Sequence, residues 1–391
     1  MGVKCQAAIS AALVAAVFPA RACTSWVLRP ETTESGMMVV QKILDNPYTP
    51  LDADMRVAPN GWRWIRIGRY GGPSMAMNEK GVALTTNCGD RNGDGHPGGG
   101  RHAFGSWGLQ WQVIKNCATA AEGVEALKHI GRSGLFSYGR NVNYGTILLV
   151  ADARRAFAVD IGDGYCEAVE VASGIHVVAN AWRIPGGESV SRIGLSGICG
   201  NRAREACAVG SLRETRVDGK YTIRGCFETS RKIRGAKHKD RYPFVPGNRR
   251  AKNMSLETGC FEIDPEFPAY LSCVYTSLGP PRHTVYLPIP MAVRQLPDKM
   301  RDGRWAQMAF DHQEAFGPEH GDLRKFVELE DKFLREFNAV RDRARRLLRE
   351  GKRAEAVELL NDCFDRQFAA ADQIMTELHS AAKSKTAARK K

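Results

Sequence analysis

Short apolar stretches separated by turns run through the first 290 residues, and this pattern predicts β-strands. Residues 24–28 and 37–44 are two such stretches, and the turn between them predicts a hairpin. We expect residues 143–180 to form one meander of antiparallel strands, because short turns join its apolar stretches. The other predicted strands are residues 62–69, 74–77, 82–86, 271–276 and 284–287.

Helical spacing of apolar residues appears in the middle of the chain and dominates its last part. Three shorter helices are predicted, at residues 108–116, 119–130 and 202–209. Thr119 is in position to cap the second of them. Residues 323–378 predict two amphipathic helices broken at Gly351, which we expect to pack as an antiparallel pair on the main body rather than form a partner-binding module. Residues 211–255 are polar and basic, and carry no clear pattern.

The first 22 residues have the pattern of a secretory signal peptide. Lys4 supplies the positive start, residues 7–18 are apolar apart from one serine, and Ala20-Arg21-Ala22 matches the small-x-small cleavage pattern. The apolar run is shorter than the roughly 20 residues that cross a membrane, and no later stretch is long enough either. We therefore expect a periplasmic or secreted protein without stable membrane insertion, whose mature form begins at Cys23.

An N-terminal cysteine would carry a thiol and a free α-amine on the same carbon, and that amine can act as the base for the thiol. The alternative is a lipid-anchored binding lipoprotein, in which Cys23 is only the attachment site. Lipoprotein signals place an aliphatic residue three before the cysteine and small residues between, and the charged Arg21 fits this poorly. The strand pattern from Thr24 onward also differs from a flexible tether. We therefore favour the nucleophile.

The composition limits which classes of partner and cofactor we expect this chain to bind. The chain has 391 residues, 43% of them hydrophobic, which is enough for a core, and a net charge of +13 that favours anionic partners through its field. We expect no nucleic-acid partner, because basic and aromatic residues do not interleave and no zinc-finger or helix-turn-helix pattern is present. We also expect no metal and no other cofactor. The loop beginning at Asp90 starts like a calcium loop, but Arg101 stands where a bidentate glutamate is needed.

Disulfides are permitted in an exported protein, but their pattern is not readable from this sequence. Eleven cysteines are present, and nine remain once the signal residue Cys5 and the candidate nucleophile Cys23 are set aside. An odd number cannot all pair with one another. Two conceivable pairings are Cys199 with Cys207 and Cys226 with Cys260.

Four short motifs in order carry a resemblance to a known family. They are Cys23-Thr24-Ser25, the strand end at residues 41–46, residues 77–82 leading to Thr86-Asn87, and Val178-Ala179-Asn180. Together they resemble the N-terminal-nucleophile (Ntn) hydrolases of the choloylglycine hydrolase, penicillin acyltransferase and dipeptidase-like linear-amide C–N hydrolase group, over most of residues 23–290. The resemblance implies an α+β fold, a four-layer αββα sandwich of two antiparallel sheets, to which this chain adds a C-terminal helical pair.

The resemblance also implies how the nucleophile works. Cys23 would attack an amide carbonyl and form a thioester, with its own α-amine handling the proton. Asp45 matches the aspartate that holds this amine in place. Lys42 stands where the bile-salt members have arginine, and a cation there would favour the thiolate. Lysine lacks the planar fork of arginine, however, so the two are not equivalent.

Two asparagines and one arginine complete the implied site. Asn87 and Asn180 match the strand-end asparagines of the family, and Asn87 together with a backbone N–H would donate hydrogen bonds to the oxyanion. Arg202 is the choice for the later active-site arginine, with Arg204 as the close alternative.

We expect an exported cysteine Ntn-hydrolase that cleaves a linear C–N amide bond in a small-molecule substrate. Acyltransferase or dipeptidase activity of the same superfamily is the nearest alternative, and a homo-oligomer stays open. The expected domains are a signal peptide at 1–22, a catalytic domain at 23–310, a helical extension at 311–380 and a basic disordered tail at 381–391. The substrate pocket is expected between the loops around 48–56, 87–102 and 181–191.

Overall fold

Thirteen strands form two antiparallel sheets in the part of the chain that the structure describes. The structure is a computed structural model, and it describes residues 23–46, 48–49, 51–69, 72–91, 106–134, 144–162, 165–181, 195–232, 254–318 and 323–389. The predicted signal peptide and its cleavage site therefore lie outside the described residues.

The first sheet has six strands in the order β10-β1-β2-β11-β12-β13. They are β1 (Thr24–Leu28), β2 (Met38–Asn46), β10 (Ile175–Val178), β11 (Met254–Ile263), β12 (Cys273–Leu278) and β13 (Leu287–Pro290). The predicted hairpin of β1 and β2 is confirmed, with Ser25 opposite Lys42. Every residue of β1 and β2 is buried, as is typical of strands covered on both faces.

The second sheet has seven strands that neighbour one another in chain order. They are β3 (Leu51–Val57), β4 (Arg63–Arg69), β5 (Gly72–Asn78), β6 (Ala83–Arg91), β7 (Tyr144–Ala151), β8 (Ala156–Gly162) and β9 (Tyr165–Glu170). This order is the one that short connections favour, because consecutive strands tend to pair. The stretch around 48–56 was expected as a loop, but most of it forms the edge strand β3.

Nine α-helices occur in the described residues. They are α1 (Ser106–Asn116), α2 (Ala120–Arg132), α3 (Leu195–Glu214), α4 (Ile223–Arg231), α5 (Pro268–Leu271), α6 (Asp298–Arg301), α7 (Arg304–Phe316), α8 (Leu323–Arg349) and α9 (Arg353–Ala388). Thr119 caps α2 as predicted, because its side chain accepts a hydrogen bond from the Glu122 N–H. The break between α8 and α9 also falls where predicted, and Gly351 there has φ of 78°.

Three apolar clusters separate four layers of secondary structure. Val40 of β2 and Met75 of β5 pack in the cluster between the two sheets. Ile43, on the opposite face of β2, belongs to the cluster that covers the first sheet with helices, including α8 through Phe337. Leu127 of α2 lies in the third cluster, on the outer face of the second sheet. The predicted α+β class and the αββα layers are therefore confirmed.

Buried ion pairs join the C-terminal helices to the main body, as expected of a packed helical pair. Both terminal nitrogens of Arg231 in α4 donate to Glu330 in α8, at 2.6 Å each. Arg341, further along α8, donates to Glu262 of β11. The predicted boundary after residue 310 falls inside α7, so it does not coincide with the end of an element.

Two further strands differ from the sequence predictions. Residues 175–178 were expected to end the meander, but β10 crosses to the first sheet and pairs with β1. Residues 254–263 were not among the predicted strands, yet β11 is the strand between β2 and β12. Its polar residues obscured it, and the partners of those residues are described below.

The predicted disordered tail is also wrong over most of its length. Helix α9 continues to Ala388, and Ala382 is buried against the rest of the fold. The Lys385 ammonium lies 4.1 Å from the centre of the Phe316 ring. Alanine has the highest helix propensity, so the alanines in this stretch favour continuation of the helix despite the basic charges. No helix in the described residues is both long and apolar enough to cross a membrane.

Candidate active site

Strand ends from both sheets meet at one edge of the sandwich, and Cys23 lies there. Cys23 directly precedes β1, and Asp45 lies near the end of β2, the antiparallel neighbour of β1. The other neighbour, β10, places Val178 opposite Ser25, so the residues that follow β10 come to the same edge. Because strand pairing fixes these positions, the site is assembled by the register of the first sheet.

The Cys23 thiol lies beside the backbone of Asp45. Its Sγ atom is 3.7 Å from the Asp45 carbonyl oxygen, and the residue is only 4% exposed. The Asp45 carboxylate is fully buried, and its Oδ1 accepts a hydrogen bond of 2.5 Å from the Ser255 hydroxyl. Its Oδ2 is buried and has no hydrogen-bond partner among the described residues.

Burial raises the pKa of Asp45 from 3.8 to about 7. The cations of Arg204 and Lys42 and the Ser255 hydrogen bond act in the opposite direction but do not cancel the burial. The carboxyl group therefore changes its charge near neutral pH, where a small change in its surroundings alters its ionisation.

Lys42 bridges the two sheets next to Asn87. Its ammonium donates to the Thr86 carbonyl oxygen and, at 3.0 Å, to Asn87 Oδ1 on β6. The Ser25 hydroxyl donates to the same oxygen at 2.9 Å. An ammonium has no acceptor to offer, so these contacts fix the orientation of the Asn87 amide, with its oxygen toward Lys42. Lys42 and Asn87 are brought together at the Cys23 edge.

The Asn87 amide nitrogen contacts the backbone that leads out of β10. Nδ2 donates to the carbonyl oxygens of Val178 and Ala179, at 3.2 and 2.9 Å. Both amide hydrogens are thus in use, since an asparagine has only two. In this arrangement Asn87 has no hydrogen left for an oxyanion, which differs from its predicted role. Its contacts are those of a side chain that connects β6 to the end of β10.

Within the described residues, Asn180 uses fewer of its amide hydrogens than Asn87 does. Its Nδ2 donates to the Cys88 carbonyl oxygen at 2.7 Å, and its Oδ1 accepts from Arg204 at 3.3 Å. The second Nδ2 hydrogen has no acceptor among the described residues. Asn180 also lies two residues past the end of β10, on the same edge as Cys23.

Arg204, and not Arg202, is the arginine that reaches the site. Its Nη1 lies 3.5 Å from the Cys23 carbonyl oxygen, and the residue is 7% exposed, whereas Arg202 is exposed. Two residues apart on an α-helix point about 200° apart, so only one of the pair can face the core. Burial lowers the pKa of the Arg204 guanidinium, and the charges of Asp45 and Cys23 oppose that effect.

Glu205, the next residue of α3, was missed by the sequence reasoning. Its Oε1 accepts the backbone N–H of Ala179 at 2.8 Å, and the residue is 3% exposed. One signal could have revealed it. Ala208 and Leu212, three and seven residues later, are buried on the same helix face, so their spacing also places Glu205 on the buried side, together with Asn201 and Arg204.

Several other cysteines are disfavoured as nucleophiles by their surroundings. Burial raises the pKa of the Cys117 thiol to about 11 and that of Cys166 to about 12. The same cause raises the pKa of Cys363 to about 11, and places the pKa of Cys260 well above its usual range. Thiols react as thiolates, so these four are unreactive near neutral pH. All nine cysteines described are free, so a Cys226–Cys260 disulfide is not formed.

A cavity of about 270 Å³ lies beside Tyr48, two residues after the end of β2. Tyr48, shortly after β2, and Phe310 of α7 form one wall, with ring centres 4.9 Å apart, and the Tyr48 hydroxyl donates to Gln307. The remaining lining residues are Leu51, Asp302, Gly303, Arg304 and Ala306. The predicted contributions from 92–102 and 182–191 lie outside the described residues. No cluster of metal-binding side chains occurs in the described part of the chain.

Comparison with solved structures finds structural similarity to amide hydrolases. No protein-family model matches the chain, and no curated protein matches it significantly. Two structures of variants of the conjugated bile acid hydrolase from Clostridium perfringens are similar, each with 12% identity over 69% of this chain and 92% of that chain, and a TM-score of 0.46. The Caenorhabditis elegans ortholog of N-acylethanolamine-hydrolyzing acid amidase is 14% identical over 63% of this chain and 95% of that chain, with a TM-score of 0.42. At this level of similarity neither protein assigns an activity to this chain.

Proposed function

We propose that this chain is an exported cysteine Ntn-hydrolase that cleaves a linear C–N amide bond in a small-molecule substrate. In this proposal residues 1–22 are removed, and the reaction passes through a thioester at Cys23. The observation that carries the proposal is the buried Asp45 Oδ2, which has no hydrogen-bond partner among the described residues. The backbone carbonyl of the same residue lies 3.7 Å from the nearly buried Cys23 thiol. Buried polar atoms are almost always hydrogen-bonded. Removal of residues 1–22 would free the Cys23 α-amine, which could supply the missing partner.

The proposed first step uses the two groups that the mature N-terminus would bring together. The α-amine takes the thiol proton, and the thiolate attacks the carbonyl carbon to form a tetrahedral oxyanion. The C–N bond then breaks, and the proton passes to the departing amine. Asp45 would orient the α-ammonium in this exchange, while Arg204, on the Cys23 carbonyl, would hold the nucleophile in place.

The oxyanion needs donors that are already in position. We assign this role to the second Nδ2 hydrogen of Asn180, because both Asn87 hydrogens are used by backbone carbonyls. Lys42 would act through Asn87, whose oxygen it contacts. In the second step water attacks the thioester, giving a carboxylic acid and regenerating the thiol. Attack by an amine instead would make the chain an acyltransferase, and a peptide-like substrate would make it a dipeptidase.

The rival function is a lipid-anchored binding protein that uses Cys23 only for attachment. A lipidated cysteine must be exposed, so that its lipid can extend away from the protein and into the membrane. Here Cys23 is 4% exposed and continues directly into a fully buried strand between two neighbouring strands. A lipid on its sulfur would need the first strand to detach from the sheet, so the burial of Cys23 favours the enzyme.

A labelling experiment tests the proposal. Mature protein is mixed with an activated acyl ester, and the acylated residue is identified by mass spectrometry of peptides. We expect acyl transfer to Cys23 and none in Cys23→Ser under the same conditions. Cys207→Ser, which removes a half-buried thiol of α3, is the matched control and should label normally. Equal labelling of Cys23→Ser and the unchanged protein would contradict the proposed nucleophile.

A further inference from the structure

We propose that Glu205 is a positioning residue, which holds the end of β10 so that Asn180 and Asn87 keep their places around Cys23. The inference rests on the proposed function and names a residue that the family resemblance did not supply. It depends on three contacts: two lead from Glu205 through the backbone of Ala179 to Asn87, and the third leads from the neighbouring Arg204 to Asn180 and Cys23.

The first contact fixes the Ala179 peptide nitrogen. Glu205 Oε1 accepts this N–H at 2.8 Å, and both residues are buried. Hydrogen bonds to a charged group are roughly twice as strong as neutral ones, and they strengthen further away from water. Strand β10 ends at Val178, so the sheet ladder no longer holds Ala179. The carboxylate of α3 therefore holds this residue where strand pairing stops.

The second contact passes the constraint to the other sheet. The Ala179 carbonyl oxygen accepts a hydrogen bond from Asn87 at 2.9 Å, and Asn87 in turn accepts from Lys42 and Ser25. Both backbone polar groups of Ala179 are thus used: Glu205 accepts from its N–H, and Asn87 donates to its carbonyl oxygen. A shift of Ala179 would displace the Asn87 amide and with it the Lys42 ammonium.

The third contact comes from the residue beside Glu205. Arg204 donates to Asn180 Oδ1 and lies 3.5 Å from the Cys23 carbonyl oxygen. Two successive residues of α3 therefore hold two successive residues after β10. Successive residues of a helix point about 100° apart, so Arg204 and Glu205 approach this turn from different directions. This pair fixes Asn180, our oxyanion donor, in both position and orientation.

The test compares three substitutions at Glu205 with a control on the same helix. Glu205→Gln keeps an oxygen that can accept the Ala179 N–H, whereas Glu205→Ala removes it. Glu205→Met also removes the acceptor but fills the space, which covers the case that the alanine variant does not fold. Glu214→Ala, at the exposed end of α3, is the matched control.

Amide hydrolysis rates are divided by the number of active sites. That number is found by titrating reactive Cys23 with an activated acyl ester. We expect kcat to fall by about 10- to 100-fold in Glu205→Ala or Glu205→Met, the size of loss that misplacement by about 1 Å causes. KM should change little, Glu205→Gln should recover most of kcat, and Glu214→Ala should match the unchanged protein.

Two results would overturn the inference. One is an unchanged kcat per titrated site in both Glu205→Ala and Glu205→Met, which would mean that Glu205 only helps the chain fold. The other is a Glu205→Gln variant as slow as Glu205→Ala, which would mean that the hydrogen bond to Ala179 is not what matters. Failure of the proposed function gives a different result, because the unchanged protein would then show no titratable Cys23.

Discussion

Replacing Asp45 by asparagine should stabilise the unprocessed chain at neutral pH, and it should abolish the reaction of the mature chain. The carboxyl group is fully buried, and its pKa is raised from 3.8 to about 7 because burial outweighs the nearby cations. Asparagine has nearly the same shape, and its oxygen can still accept the Ser255 hydroxyl. It carries no charge at any pH, so it removes the cost of ionising this buried group.

The sign and size of the effect follow from the pKa. Below pH 3.8 the group is protonated in both the folded and unfolded chain, and it does not affect the pH dependence. Between pH 3.8 and about 7 only the unfolded chain loses the proton, so the free energy of unfolding falls as pH rises. At about 1.4 kcal/mol per pH unit, the loss reaches about 4 kcal/mol and then stays constant above pH 7.

Urea unfolding at about pH 4 and about pH 8 measures this difference. The chain used should keep residues 20–22, so that the Cys23 nitrogen remains an amide. We expect Asp45→Asn to gain up to about 4 kcal/mol at the higher pH and little at the lower pH. Asp342→Asn, at an exposed position of α8, is the control and should change little at either pH. A stabilisation that is the same at both pH values would refute the reasoning.

The mature chain supplies a second comparison with the same variant. A free α-ammonium at Cys23 would favour the ionised carboxylate of Asp45, since an opposite charge nearby lowers the pKa of an acid. The stabilisation by Asp45→Asn should therefore be smaller after residues 20–22 are removed. An equal gain in both chains would show that the new amine does not reach Asp45.

Three further predictions concern other parts of the fold. Arg204→Ala should slow acylation of Cys23 by at least tenfold in a stopped-flow assay, because one misplaced contact costs about that much, whereas Arg202→Ala should not. Glu330→Ala should lower the free energy of unfolding in urea by about 3–5 kcal/mol, since it leaves the buried Arg231 guanidinium without its carboxylate. A loss below about 1 kcal/mol, similar to that of the exposed Glu328→Ala, would contradict this. Ala306→Leu should narrow the cavity, so that kcat/KM falls for aryl-acyl amides but not for acetyl amides. An equal fall for both substrates would place the cavity outside the substrate path.

The local elements could largely be predicted from the sequence because they depend on local chemistry. The β1–β2 hairpin follows from two apolar stretches and a turn, and its register places Cys23 near Asp45. Gly351 ends α8 because a positive φ costs glycine little. The motif residues Lys42 and Asn87 also meet, because the facing strands β2 and β6 carry them toward each other across the space between the two sheets.

Strand β11 could not be predicted, because long-range partners stabilise its polar residues. Glu257 accepts the Ser74 hydroxyl of the other sheet, and Glu262 accepts Tyr275 and Arg341. These partners lie 13 to 183 residues away in the sequence, so the pattern within the segment gives no sign that it is buried. Buried polar groups are tolerated where such hydrogen bonds exist.

The pairing of β10 and the choice between two arginines were missed for a related reason. Neighbouring strands usually pair, which made the meander the natural expectation, but β1 needs a second neighbour and β10 supplies it. Arg202 and Arg204 can be separated only once the buried face of α3 is known. Glu205 lies on the same buried face as Ala208 and Leu212, and its helical spacing from these apolar residues is the sequence signal for its burial.

Mass spectrometry of the mature N-terminus tests the central claim most directly. The exported protein is purified from cells, and its N-terminal peptide is sequenced before and after reaction with an activated acyl ester. Our account predicts a peptide that begins at Cys23 with a free α-amine, and that gains one acyl group on its sulfur. A diacylglyceryl group on Cys23, or a mature chain that begins at any other residue, would contradict it.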